Sequence, residues 1–281
     1  MTYILYNPHS GSHLTAEKIE AINSDNSFEF KTVDFTKIED YSSFLSPMTD
    51  DDTLIICGGD GTLNKFVNLT NGIDIIPDVF YYPVGSGNDF AHDLNHSKND
   101  KPFRVKHLLK NLPSVEVKGK TYYFLNNVGF GIDGYCCEQA DIKKSKKERS
   151  VNYTTIAIKG LLYDFKPRNA TITVDGQTAK YSRVWMAPTL KGRFFGGGMM
   201  ATPRQNRCDP QRTLSILIVH NANKLKLLCV FPKIFTGKHI THKEILEIKT
   251  GHEITVTYDR PTPLQIDGET ILDVLTYTAK A

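Results

Sequence analysis

The residue types and spacing best suited to chemistry occur in Gly58-Gly59-Asp60-Gly61-Thr62. Glycines let a backbone approach a ligand closely. A helix starting there would aim its first amides and its partial positive charge at an anion, above all a phosphate. An aspartate inside such a turn repels a bare phosphate, so Asp60 is expected to meet it through Mg2+. Two more loops carry similar material, Asn7-Pro8-His9-Ser10-Gly11-Ser12 and Gly85-Ser86-Gly87-Asn88-Asp89. Asp-Gly is also a hairpin signal, and the residues after the turn decide between a phosphate loop and a hairpin.

After Gly61 the apolar positions Leu63, Phe66 and Val67, with Thr70, fall three and four apart, which is one helix face rather than a second strand. Before Gly58, the run Thr53 to Cys57 is apolar and rich in β-branched residues, as in a buried strand. Tyr3 to Tyr6 reads as a strand ahead of the first loop. Thr15 is placed to cap a helix after it, with Ile19 and Ile22 on the inner face. Phe28 to Val33 reads as a strand, Ile38 to Leu45 as a short helix, and Asp78 to Pro83 as the strand feeding the third loop. Strand, glycine loop and helix thus recur three times. In an open parallel sheet, loops at the carboxyl ends of neighbouring strands would line one ligand crevice.

The chain has 281 residues, 40% hydrophobic and 23% charged, with a net charge of +3. Those values fit a soluble globular protein of one large or two ordinary domains, without the clustered basic excess of a nucleic-acid binder. The five cysteines have no metal or disulfide spacing, which fits reduced thiols and a cytoplasmic setting. No basic-flanked leader precedes Tyr3, and no run reaches the ~18 apolar residues of a membrane span, so any membrane contact is expected to be peripheral.

From Val115 onward short β-rich runs dominate: Val115 to Lys118, Tyr122 to Val128, Ala170 to Val174, Ser182 to Thr189, Leu214 to His220, Ile245 to Lys249, Ile254 to Tyr258 and Leu272 to Tyr277. Such a series predicts a sandwich or barrel. The polar break at Lys118-Gly119-Lys120 sets the expected boundary, giving domains 1–119 and 120–281. Helical inserts are expected from Asp141 through the basic run to Phe165, and from Asn223 to Phe235. Their lysines would attract anionic headgroups, although a basic run is more often simply a solvated face. His239 and His242 read as surface histidines, and Cys136 and Cys137 receive no role.

In order along the chain, Asn7-Pro8-His9-Ser10-Gly11, Gly58 to Asn64 and Pro83-Val84-Gly85-Ser86-Gly87-Asn88-Asp89-Phe90-Ala91 resemble the diacylglycerol kinase catalytic-domain family, which includes bacterial lipid kinases and is related to sphingosine kinases. The last stretch is the specific one, because NAD kinases share only the Gly-Gly-Asp-Gly turn. The resemblance implies an α/β protein of two domains. An N-terminal open α/β nucleotide-binding domain is followed by a C-terminal β-sandwich with helical insertions, and the active site lies between them. It implies ATP as phosphoryl donor, Mg2+ as cofactor, a membrane lipid such as diacylglycerol as acceptor, a place in lipid metabolism at the membrane periphery, and room for a homodimer.

On this resemblance the nucleotide is held by Asn7, Ser10, Gly11, Gly58, Gly59, Asp60, Gly61, Thr62, Asn64, Gly85, Ser86 and Asn88, with Asp60 supporting Mg2+ through water. Glu269, in Asp267-Gly268-Glu269, takes the role of general base; the local pattern there says only hairpin. Phe194 to Pro203 matches a glycine-rich element of the second domain. Asn206 to Gln211 falls where some bacterial lipid kinases bind a structural Mg2+, which makes Asp209 a candidate ligand, although Cys208 and Pro210 depart from the pattern. Lys65 replaces a usual glutamate and His92 a frequent arginine, and the loops hold no Walker lysine. Two other readings stay open, an NAD kinase-like phosphotransferase and a catalytically silent nucleotide- or lipid-binding regulator.

Overall fold

A computed structural model describes residues 1–8, 29–98, 100–146 and 153–281. They form two units, Met1–Leu112 and Pro113–Ala281. The first is built on the apolar runs. Strands β1 (Thr2–Tyr6), β2 (Phe30–Asp34), β3 (Thr53–Gly58) and β4 (Asp78–Pro83) pair in parallel, and the short β5 (Phe103–Arg104) closes the edge antiparallel, in the order β2-β1-β3-β4-β5. The centre of β3 is wholly buried, as a strand covered on both faces must be.

Helix α1 (Asp60–Leu69) follows β3 directly and buries Thr62, Leu63, Asn64, Phe66 and Val67, the face that the sequence period predicts. The short helix α2 (Asp89–Asp93) follows β4 in the same way. The helix expected from Ile38 is confined to Tyr41–Leu45. There Asp40 accepts hydrogen bonds from the Ser42 and Ser43 amides, and this cap fixes the start. The helix expected after the first loop, with Thr15, Ile19 and Ile22, lies outside the described residues.

The second unit is β-rich. Its main sheet runs through β15 (Leu246–Gly251), β14 (Leu214–Val219), β11 (Met186–Leu190), β8 (Asn127–Gly131), β16 (Glu253–Ile266), β17 (Glu269–Lys280), β6 (Ser114–Val117) and β7 (Lys120–Tyr123). Strand β9 (Arg168–Val174) pairs with both β16 and β10 (Gln177–Val184). The first part of β16 pairs with β9 and its last residues with β8. Register shifts around Thr262, between Pro261 and Pro263, allow one strand to serve both partners. Val128, Phe130, Ile172, Ile216, Val256 and Tyr277 belong to the core enclosed by these strands. The arrangement is the sandwich-like half expected from the strand series.

Lys118-Gly119, where the sequence reading puts the domain break, is instead the β6–β7 turn, with both residues at positive φ. The division falls earlier, between Leu112 and Pro113. The polar signal there marks a tight hairpin and not a linker.

Helices α3 (Ile132–Ser145), α4 (Tyr153–Lys159) and α5 (Lys224–Val230) supply the inserts, and Asn223 caps α5 through the Lys226 amide. Residues 147–152 of the first insert, including the end of the basic run, lie outside the described residues. Among those described, no helix is long and apolar enough to cross a membrane.

Candidate functional site

Parallel pairing brings the starts of the three loops to one edge. Tyr6 pairs with Cys57, Cys57 with Tyr82 and Gly58 with Pro83, so Asn7, Gly59 and Val84 all leave the sheet at neighbouring carboxyl ends. This is where α/β sheets bind ligands. Ser10 and Gly11 lie outside the described residues. The other two loops touch directly. A Cβ on Gly85 would stand 2.4 Å from Gly59 Cα and 2.7 Å from Asn88 Oδ1, and one on Gly59 would stand 3.1 Å from Gly85 Cα. Only residues without side chains permit this approach. The Val84 and Gly85 amides both donate to Gly58 O, which fastens the third loop to the second.

Asp60 completes the junction. Its carboxylate accepts from the Asp89 amide at 2.7 Å and the Phe90 amide at 3.0 Å, the first amides of α2. A helix N-terminus leaves such donors unpaired, and a carboxylate there is well placed against the helix dipole. Asp60 therefore joins two loops that are 29 residues apart, a part the sequence did not reveal. Asn88 is only 5% exposed and takes a left-handed backbone at φ 53°. It donates to Gly85 O, while its Oδ1 is sealed and has no partner among the described residues.

Other nucleotide-binding candidates divide by exposure. Ser86 is exposed and Gly61 half-buried on the loop side. Thr62 is buried over Gly58, whose added Cβ would meet it. Asn64 is buried and accepts from Asn68 through Oδ1. Lys65 and His92 sit on exposed positions of α1 and α2. Tyr81, which donates to Gly58 O from beneath the site, has its phenol pKa pushed well up, first by burial and then by the charges of Asp60, Cys57 and Asp89.

In the second unit, Asp267 and Gly268 form the two-residue β16–β17 turn, with φ 45° and 91°, and Glu269 begins β17 exposed. The Asp267 carboxylate accepts from three consecutive amides, Leu125, Asn126 and Asn127. Those amides are consequently unavailable to a ladder, and the single strand read over Tyr122 to Val128 is cut into β7 and β8. Gln265 braces the turn from behind. Its Oε1 accepts from Gly268 N at 2.9 Å, and its Nε2 donates to Asp133 Oδ2 at 3.3 Å. Asp133 is partly exposed as a residue, but its Oδ1 is sealed without a partner among the described residues. Burial raises its carboxyl pKa to about 7, and the Gln265 bond only partly offsets this. Gln265 and Asp133 were missed because one polar residue inside an apolar strand, Leu264-Gln265-Ile266, gives no pattern.

Asp209 lies in the loop before β14. Its Oδ1 accepts from the Gln211 amide, and it lies in the electrostatic reach of Lys191, itself facing Arg212 and Arg207. Such a cationic neighbourhood disfavours Mg2+, and among the described residues no group of three or more His, Cys, Asp or Glu could hold a metal. His239 is not on the surface. It is 1% exposed and bonds Ala201 O through Nε2, whereas His242 faces Lys233 and Glu244.

Comparisons with known proteins bear on both units. Residues 1–117 match the diacylglycerol kinase catalytic domain, and residues 126–278 match the YegS C-terminal NAD kinase beta sandwich-like domain. A Bacillus subtilis protein named "Putative lipid kinase YtlR" is 28% identical over 77% of this chain and 73% of its own length. A second, named Diacylglycerol kinase, is 24% identical over 95% of this chain and 88% of its own. A solved diacylglycerol kinase structure from Bacillus anthracis superimposes with a TM-score of 0.68 at 19% identity, covering 99% of this chain and 93% of the other, and shows the shared fold. With family models covering both halves, the chain belongs to the diacylglycerol kinase catalytic-domain family with a YegS-type sandwich.

Proposed function

We propose that this protein is an ATP-dependent lipid kinase that transfers the γ-phosphate of ATP to a lipid hydroxyl such as that of diacylglycerol. The observation that carries the reading is the contact of Gly59 with Gly85. Two side-chain-free loops at adjacent strand ends, joined by Asp60, suit the close backbone approach a polyphosphate needs. The Gly59 to Thr62 turn and the α1 N-terminus hold phosphate oxygens, with Asn7, Ser86 and Asn88 as polar neighbours. Asp60 and Asp89 carry hard oxygens of the type Mg2+ takes through water, and when bound that ion would offset phosphate charge.

Glu269 accepts the proton of the attacking hydroxyl. As that proton moves to the carboxylate, the lipid oxygen bonds to the γ-phosphorus and the bond to the β-phosphate oxygen breaks, releasing ADP. Glu269 is exposed where β17 begins, and the Asp267 clamp fixes the turn beneath it.

Access to lipid requires docking, and the helical inserts offer a surface. Leu225 is 76% exposed and Tyr163 is 73% exposed. Lys224 Nζ donates to Leu162 O, which ties the two inserts together, and Lys159 and Lys166 of the first insert are exposed. Apolar tips flanked by lysines suit an anionic bilayer surface. Sedimentation with vesicles tests this: binding should rise with anionic lipid content, and indifference to it would remove the docking role.

γ-Labelled ATP offered with diacylglycerol, a sphingoid base, phosphatidylglycerol, a polyprenol and NAD tests the reaction. Label is expected in an organic-phase phosphorylated lipid. NADP as the sole product would establish the NAD kinase alternative, and ATP binding with no phosphorylated product would establish a silent regulator.

A further inference from the structure

Lys191 leaves β11 at the end of the sheet that carries the Asp267 turn. Its amide donates to Asn126 O at 2.9 Å, and the Asn126 amide in turn donates to Asp267 Oδ1 at 2.9 Å. Lys191 therefore lies two strand spacings from Asp267, roughly 10 Å. The residue is only 7% exposed, yet its ammonium makes no hydrogen bond or ion pair with any described residue. It is not among the sealed unpartnered atoms, so its tip reaches solvent. Burying an unpaired ammonium is costly.

The surroundings raise that cost. Burial, then the charges of Arg212 and Arg207, lower the Lys191 pKa, and Asp209 only partly offsets them. Arg207 is itself 8% exposed and held by Leu125 O and Asn126 Oδ1, at 2.7 Å for the latter. Asp209 is committed to its own loop, accepting from the Gln211 amide at 3.0 Å and from Thr213 Oγ1 at 3.5 Å. An open ammonium tip with two guanidinium groups in its field, only partly offset by Asp209, is the converse of a metal site. It calls for an anion with several oxygens.

We propose that Lys191, backed by Arg207 and Arg212, is a phosphate-binding subsite of the second unit, at the same sheet end as Glu269, and receives a phosphate of the nucleotide or of the phosphorylated lipid. That choice of ligand rests on the kinase reading above, while the capacity to bind phosphate does not. The capacity is that of the second unit taken by itself, a buried ammonium with an open tip beside two guanidinium groups.

Calorimetric titration of the full chain with inorganic phosphate, at ionic strength fixed with chloride, tests the proposal. Lys191→Gln should weaken phosphate binding about tenfold or more, Lys191→Arg should retain most of it, and Lys180→Gln, removing an exposed lysine elsewhere, should change nothing. Lys191→Gln removes an unpaired charge, so it should melt no lower than the parent. Should it nevertheless fail to fold, phosphate soaked into crystals of the parent must show density within hydrogen-bonding distance of Lys191 Nζ, and none there overturns the proposal.

Two further arms identify the source, ATP with Mg2+ and phosphatidylcholine vesicles carrying phosphatidic acid. A loss of affinity in either arm on Lys191→Gln supports the subsite and names its ligand. Equal phosphate affinity in parent and Lys191→Gln overturns it, and a loss seen with inorganic phosphate alone upholds the phosphate site while overturning the nucleotide and phosphorylated lipid as its ligands. If the parent phosphorylates no lipid, the kinase reading fails on its own while the phosphate titration still stands.

Discussion

Asp60-Gly61 and Asp267-Gly268 are the same dipeptide in opposite settings, one opening a helix and the other closing a hairpin. The flanks decide. Leu63, Phe66 and Val67 supply a helical period after the first, whereas β16 and β17 alternate around the second, where both residues take positive φ. Yet the two aspartates do similar work. Asp60 accepts two amides from a segment 29 residues away, and Asp267 accepts three from a segment as far as 142 residues away. Local sequence chooses the turn, and the carboxylate then ties that turn to a distant backbone. In the first unit the tied element is a phosphate loop. In the second it is the stretch leading into β8, to which Arg207 and the Lys191 amide also bond.

Chemistry and scaffold separate most sharply at Glu269. Glu269→Gln should lower turnover by about a hundredfold to ten-thousandfold, the range of a lost general base, with the melting temperature unchanged because Glu269 is exposed. An unaltered rate constant would leave the second turn with no catalytic part.

Asp133 tests the brace behind that turn. Its folded pKa of about 7 exceeds the ordinary 3.8, so the folded state keeps a proton that the unfolded chain has lost. Stability from this group is greatest below about pH 4, falls as pH rises toward about 7 and levels above it, by about 4 kcal/mol in all. Asp133→Asn should flatten that slope and stabilise the protein at pH 8, as read by urea unfolding at several pH values; a slope that survives the substitution assigns it elsewhere.

Removing the two clamps compares them directly. Asp267→Ala strands three amides and should cost about 3 kcal/mol, against about 2 kcal/mol for Asp60→Ala. The reverse order in denaturant unfolding would show that bond count is not what distinguishes them. Gly85→Ala should cost about 1–3 kcal/mol and weaken ATP binding, since its Cβ would drive the Gly59 and Gly85 loops apart. Lys65→Glu, at an exposed α1 position, should shift stability by no more than about 0.5 kcal/mol, so a change in ATP affinity there would report electrostatics alone.

Much of the fold was legible in the chain. The α1 face, the β3 and β4 strands and the loops after them follow from period and glycine placement, because those signals are local. The strand series from Val115 likewise announced a β-rich half. The expected break at Gly119 falls between the two family matches, 1–117 and 126–278, while the residues there fold as a hairpin, because a hairpin and a linker use the same polar residues. Strand Tyr122 to Val128 misled because its interruption is caused by Asp267, a residue 140 positions later than Asn127.

By itself the sequence determined the strands on either side of α1, which turns are glycine-rich, and the family those motifs resemble, since backbone sterics and hydrophobic period act between near neighbours. Only the tertiary structure decided that Gly59 rests on Gly85, that Asp60 caps a second helix, that Asp267 clamps Leu125 to Asn127, and that Lys191 is buried unpaired among cations. Those facts depend on which distant backbones and charges arrive at the same place, and hydrogen bonds and Coulomb forces act across space whatever the separation along the chain.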